Sequence, residues 1–115
     1  MIEIRRSVRE DFPHILALLR QLWPGRELEV KAVRAVFLQA LSSEACVYLS
    51  ACHEARVVGF ASLRILRSLR TAGCFGHLDE LVVEKELRGR GIGGHLLDAV
   101  TAAARQRDCI RPRQG

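Results

Sequence analysis

Ile2 and Ile4 alternate with polar neighbours, the period-two pattern of a short strand. After the polar stretch Ser7 to Asp11, the apolar residues Phe12, Ile15, Leu16, Leu18, Leu19 and Leu22 recur at helical spacing. Pro13 fits the first turn of that helix, where a missing N–H costs nothing. Trp23-Pro24-Gly25 ends it. Leu28, Val30, Val33, Val36, Phe37, Ala40 and Leu41 predict a second helix, broken at Ser42-Ser43. The period then shortens. Cys46 to Ala51 reads as a strand, His53 to Arg56 as a connector and Val57 to Ile65 as the hairpin partner. Leu66 to Gly73 is expected to be a loop, followed by a strand from about Cys74 to Val83. A last helix is expected from about Ile92 to Arg107, with Leu96, Val100, Ala103 and Ala104 on one face. The predicted order is β-α-α-β-β-β-α, an α/β (α+β) chain with no internal repeat, low-complexity tract or domain boundary.

The junction between the last strand and the last helix carries the most chemistry. Leu81-Val82-Val83 runs through Glu84-Lys85-Glu86-Leu87 into Arg88-Gly89-Arg90-Gly91-Ile92-Gly93-Gly94. A glycine-rich turn at a helix N-terminus presents backbone N–H groups with no side chains in the way. The helix dipole adds partial positive charge there, so the turn suits a phosphate or pyrophosphate. Arg88 and Arg90 add formal charge, although loop arginines are as often solvated. Gly89-x-Gly91-x-x-Gly94 also matches the dinucleotide fingerprint. That reading needs a further strand after the helix and an acidic residue about 20 positions on, and neither follows here. No Gly-Lys-Ser/Thr triplet supports a P-loop.

Composition narrows the classes. The 115 residues, 49% hydrophobic and 27% charged, suit one globular domain spanning 1–115. The net charge of +5 favours anionic partners. Its arginines run from Arg5 to Arg113 without a clustered stripe or aromatic platform, so no nucleic-acid partner is expected. Met1 to Arg6 lacks the apolar core of a signal peptide and no apolar run is long enough to cross a bilayer, so a cytoplasmic protein without a membrane partner is expected. Cys46, Cys52, Cys74 and Cys109 form no C-x-x-C pair and read as buried free thiols. Cys52-His53 with His77 imitates part of a metal site, but no complete ligand set is visible and no metal is expected.

The element order and the R-x-x-G-x-G run at Arg88, Gly91 and Gly93 resemble the GNAT superfamily of acetyl-CoA-dependent N-acyltransferases. The resemblance is strongest from Gly76 to Ala104 and extends to the apolar-x-G-F-A run at Val57 to Ala61. It implies a mixed, mostly antiparallel sheet flanked by helices. It further implies that Leu81, Val82 and Val83 offer backbone groups to the pantetheine arm of acetyl-CoA, and that Gly89, Arg90, Gly91, Ile92, Gly93 and Gly94 hold its pyrophosphate, with Arg88 or Arg90 assisting. An acceptor amine would attack the thioester directly in a ternary complex, polarised by a strand N–H. A base is needed because a protonated amine is not a nucleophile. The candidates are Glu80 first and Asp79 second. Side chains alternate along a regular strand, so at most one of them would face the acceptor there. The bland alternative is that both carboxylates bind only water, an arginine or the acceptor. His77 reads as structural or solvated rather than as a proton relay.

In this family the chain continues after the third helix with a strand, a helix and further strands, which the residues to Gly115 do not supply. The single domain is therefore expected to be partial. Cys109-Ile110 resembles the start of a fifth strand, but Pro112 and the polar tail argue against it. The only tyrosine, Tyr48, is not assigned the thiolate-protonating role. An open fourth-strand edge invites a second copy, and a homodimer is expected. The alternative function is a CoA-binding or interaction module with little turnover. The resemblance places the acceptor near Leu22 to Leu28 and leaves it open: a small molecule, or a protein N-terminus or lysine. Trp23 there either stacks on the acceptor or caps the helix.

Overall fold

The computed structural model describes residues 1–70 and 72–107 and, as backbone, Pro112–Arg113. Four strands, β1 (Ile2–Arg6), β2 (Cys46–His53), β3 (Arg56–Ser68) and β4 (Gly73–Val83), form an antiparallel meander. Helices α1 (Phe12–Leu22) and α2 (Val30–Leu41) connect β1 to β2, and α3 (Ile92–Gln106) follows β4. Single 3₁₀ turns at Arg9–Asp11 and Lys85–Leu87 lead into α1 and away from β4.

Several boundaries differ from expectation: β2 runs on to His53 and β3 starts at Arg56, so the expected His53 to Arg56 connector shrinks to Glu54-Ala55. The strand β3 runs on to Ser68, and Leu66 pairs with Phe75 where a loop was expected. Partner pairing extends the hairpin past Ile65, where alternation in the sequence fades. The helix α2 starts at Val30, with Glu29 in an extended conformation at its N-cap, although Leu28 joins the apolar spacing. A two-residue strand, β5 (Pro112–Arg113), pairs parallel with β4 at Gly76 and His77. Proline is tolerated as the first residue of a strand, where no ladder N–H is required. The suggested start at Cys109-Ile110 lies outside the described residues.

The sheet has a helix layer on each face. On one side, α3 buries Leu96, Val100 and Ala104 against Val47, Val58 and Leu63. Gly59 permits this approach, because a Cβ there would lie 3.0 Å from Leu96 Cδ1 and 3.2 Å from Ala51 Cβ. On the other side, α1 and α2 bury Ile15, Leu18, Leu19 and Phe37 against Phe60 and Val82. Here Asp11 is held by both terminal nitrogens of Arg5 (2.8 and 2.9 Å), by the Val8 N–H (2.9 Å) and by the Ser50 hydroxyl (3.0 Å). Burial alone would raise the Asp11 pKa, but Arg5 and the other donors bring it below the ordinary value.

Cys46 and Cys52 are free thiols, whereas Cys74 is disulfide-bonded. That corrects the free-thiol expectation for Cys74; spacing along a chain does not report which sulfurs meet in space. No described helix is long and apolar enough to cross a membrane.

Candidate active site

Leu78 and Leu81 both pack into the α3 core although they are three residues apart, an odd spacing that strict alternation forbids. The ladder shows the cause: Ser62 pairs with Glu80 and Leu63 with Leu78, leaving Asp79 as the extra residue of a β-bulge. The one-facing-residue limit of a regular strand therefore does not apply. Asp79 keeps to the side of His77, its Oδ1 lying 3.3 Å from His77 Nε2. Glu80 lines a groove under α1 and α2 together with Tyr48 and Phe60.

The two carboxylates sit in different surroundings. Asp79 is gripped by Arg64, with Nε at 2.6 Å and Nη2 at 2.9 Å. Glu80 has no such fork. The Ser62 hydroxyl donates to its Oε1 and accepts from its backbone N–H at 3.0 Å. Burial pushes the Glu80 pKa up, and the nearby Asp79 charge adds to this. The Ser62 hydrogen bond and the charges of Arg64 and His77 offset only part of it. Tyr48, close by, is pushed up to about 12 by burial and by the Glu80 charge. It stays a neutral phenol at physiological pH.

Ser62 and Arg64 were not singled out from the sequence. A serine inside the apolar run Val57 to Leu63 is the signal for Ser62, since a buried hydroxyl needs a partner. No comparable signal marks Arg64, which is one arginine among many.

The C-terminal end of β4 feeds the glycine turn. The Glu84 N–H donates to Val58 O at 2.8 Å, so its backbone faces β3. Antiparallel alternation then turns the Val82 backbone inward too, and leaves the Leu81 and Val83 groups on the outer edge. The Val82 side chain is buried toward α1. Gln21 of α1 fixes the turn: its side-chain nitrogen donates to Glu84, and its oxygen accepts from the Lys85 N–H at 3.0 Å. Arg88 Nε donates to Val83 O at 3.0 Å, which braces the turn from within. Arg90 is exposed beside it.

Gly89 (φ 82°) and Gly91 (φ 83°) occupy the left-handed region, which other residues enter at a cost. Gly93 and Gly94 lie in the first turn of α3, where each costs about 1 kcal/mol relative to alanine. Packing does not demand either. A Cβ at Gly94 would meet nothing within 4 Å, and one at Gly93 only Val83 Cγ2 at 3.8 Å. At the N-terminus of α3, the His95 N–H is the first to join the helical ladder, donating to Gly91 O at 3.1 Å. Preceding N–H groups therefore face an open space that side chains would fill. That cradle fits a pyrophosphate. Among the described residues, no group of three or more His, Cys, Asp or Glu is arranged to hold a metal ion.

The fold is that of the GNAT acetyltransferases. Residues 3–112 match the acetyltransferase (GNAT) family, and the chain belongs to it. It is 35% identical over 104 residues to an aminoalkylphosphonate N-acetyltransferase of Salmonella typhimurium, covering 90% of this chain and 67% of the relative. It is 32% identical over 100 residues to glucosamine 6-phosphate N-acetyltransferase 1 of Oryza sativa subsp. japonica, covering 84% and 61%. The chain thus spans roughly two thirds of the length of these curated relatives, and less than that of the second. A predicted acetyltransferase of Clostridium acetobutylicum, solved with acetyl-CoA, superposes with a TM-score of 0.83 at 20% identity, covering 100% of this chain and 80% of the other. At that identity the likeness concerns the fold.

Proposed function

We propose that the protein transfers an acetyl group from acetyl-CoA to a primary amine by direct attack in a ternary complex. The observation that carries this reading is a half-buried carboxylate, Glu80, on the strand that leads into a bare helix N-terminus. The outward backbone groups of Leu81 and the Val83 N–H would hold the pantetheine amides, and the N–H groups from Gly89 to Gly94 the pyrophosphate, with Arg90 and the free face of Arg88 adding charge. When bound, acetyl-CoA supplies the thioester carbonyl that an amine attacks.

Glu80 takes the proton from the acceptor ammonium. Its raised pKa brings it closer to the working pH, where a general base is most effective. Asp79 is less suited, because Arg64 occupies both of its oxygens. Its charge instead favours the cationic amine and keeps Glu80 basic. The test is thiol release from acetyl-CoA over a range of pH, with Glu80→Gln beside the wild type. The account expects an acidic limb that the variant loses together with most of its rate. Saturable acetyl-CoA binding with no turnover on any amine would favour a CoA-binding module instead.

The relatives' names point to small-molecule amines, which supports an acceptor of that kind. A homodimer and a cytoplasmic setting complete the proposal. A second copy would use the β4 edge that acetyl-CoA also needs, so acetyl-CoA should shift a dimer toward monomer in light scattering. A mass unchanged by saturating acetyl-CoA would place any dimer contact elsewhere.

A further inference from the structure

Resting on that reading, we propose that the acceptor is a small primary amine on an aryl or alkyl body, rather than an aminophosphonate or a sugar phosphate. The groove at Glu80 has a volume of about 320 Å³. That suits a molecule of one or two rings. Its walls are aromatic and continuous: Phe12 lies 5.5 Å from Phe37, Phe37 lies 5.9 Å from Tyr48, and Tyr48 meets Phe60 edge-on at 5.4 Å between centroids. Val36 adds an apolar side that is 60% exposed, surface that a bound apolar body would cover.

The charges in the groove fit an ammonium and little else. Among its lining residues Glu80 is the only carboxylate and Arg26 the only cation. Arg26 lies over the Trp23 ring at 5.3 Å and is exposed, so solvent screens its charge. A phosphate or phosphonate dianion placed here would lose its water beside Glu80, with one cation to compensate. An ammonium on an apolar stem instead meets Glu80, with the Asp79 charge close by, and its stem meets the rings. Binding therefore selects the amine head by charge and the body by its lack of polar groups.

Trp23, the only tryptophan in the chain, lines the groove, so its fluorescence reports acceptor binding whether or not turnover occurs. Phenethylamine and 2-aminoethylphosphonate are the probes, and Ala32→Arg the variant. Ala32 is an exposed position of α2 that lines the groove, so the substitution adds bulk and a cation without disturbing the core. The proposal expects saturable change with phenethylamine, binding at least about tenfold weaker with the phosphonate, and the same order in kcat/KM. Ala32→Arg should weaken phenethylamine at least about tenfold and spare the phosphonate. An unresponsive Trp23, or a phosphonate that binds or reacts as well as phenethylamine, overturns the proposal. Phenethylamine binding without acetyl-CoA binding would overturn the transferase reading and leave the groove assignment standing. Acetyl-CoA binding with a preference for the phosphonate would overturn the assignment alone.

Discussion

The two faces of the sheet are built from similar apolar residues but handle polarity in opposite ways. Toward α3, Leu63, Leu96 and Val100 are fully buried, and the helix rests on Gly59 with no room to spare. Among the described residues, the four most deeply buried polar ones, Ser7, Asp11, Ser50 and Ser62, all belong to the other side, where α1 and α2 leave the Glu80 groove. One face holds the fold together. The other spends hydrogen bonds to keep charged groups in place under partial burial. An enzyme needs both, since a positioned carboxylate is useful only on a scaffold that does not move.

The comparison breaks most clearly at Glu80. Glu80→Gln should lower kcat/KM by about 10²–10⁴, while acetyl-CoA affinity by calorimetry and thermal stability stay close to wild type. Loss of stability in place of activity would make Glu80 a packing residue. On the opposite face the reverse is expected. Leu96→Ala should cost about 2–5 kcal/mol in denaturant unfolding, because the fully buried site cannot collapse around the cavity. Gly59→Ala should cost about 1–3 kcal/mol through overpacking against Leu96 and Ala51. If it proves neutral, α3 is not seated as tightly as described. Val33→Ala, half-buried at the groove, should cost less than either.

A smaller effect separates the faces by pH. Asp11 has a lowered pKa in the fold, so the folded state binds its proton less readily than the unfolded chain. Its contribution to stability is complete above the unfolded value of about 3.9 and disappears as pH falls through the folded one. Denaturation midpoints measured from pH 6 downward should therefore fall less steeply for Asp11→Asn than for wild type. Parallel curves would show that the Arg5 and Ser50 contacts leave the acid unperturbed.

Much of this arrangement was legible from local pattern. The helical spacing of Phe12 to Leu22, the alternation around Val57 to Ile65 and the glycines before Ile92 each encode a nearby event: an apolar face, a pairing strand, a turn with positive φ. What escaped depends on contacts between distant residues. The bulge at Asp79 is a register shift against Ser62 and Leu63, and nothing within Gly-His-Leu-Asp-Glu-Leu announces it. The extension of β3 to Ser68 and the pairing of Pro112 with Gly76 are also decided by the partner strand. The Glu80 environment combines a serine 18 positions earlier with rings from α1, α2 and β2. The acids were therefore identifiable as candidates, while the difference between them emerged only from the packed structure.

The central claim is that the glycine turn at α3 is a pyrophosphate cradle. Gly94→Asp tests it with the fold preserved. The new Cβ meets nothing within 4 Å. A carboxylate in the first turn of a helix is favourable, and replacing glycine there relieves its entropic cost. Calorimetric titration with acetyl-CoA, with thermal unfolding alongside, should show saturable binding by the wild type and none by a variant that is at least as stable. A folded wild type that does not bind acetyl-CoA, or a Gly94→Asp variant that binds it equally well, would contradict the account.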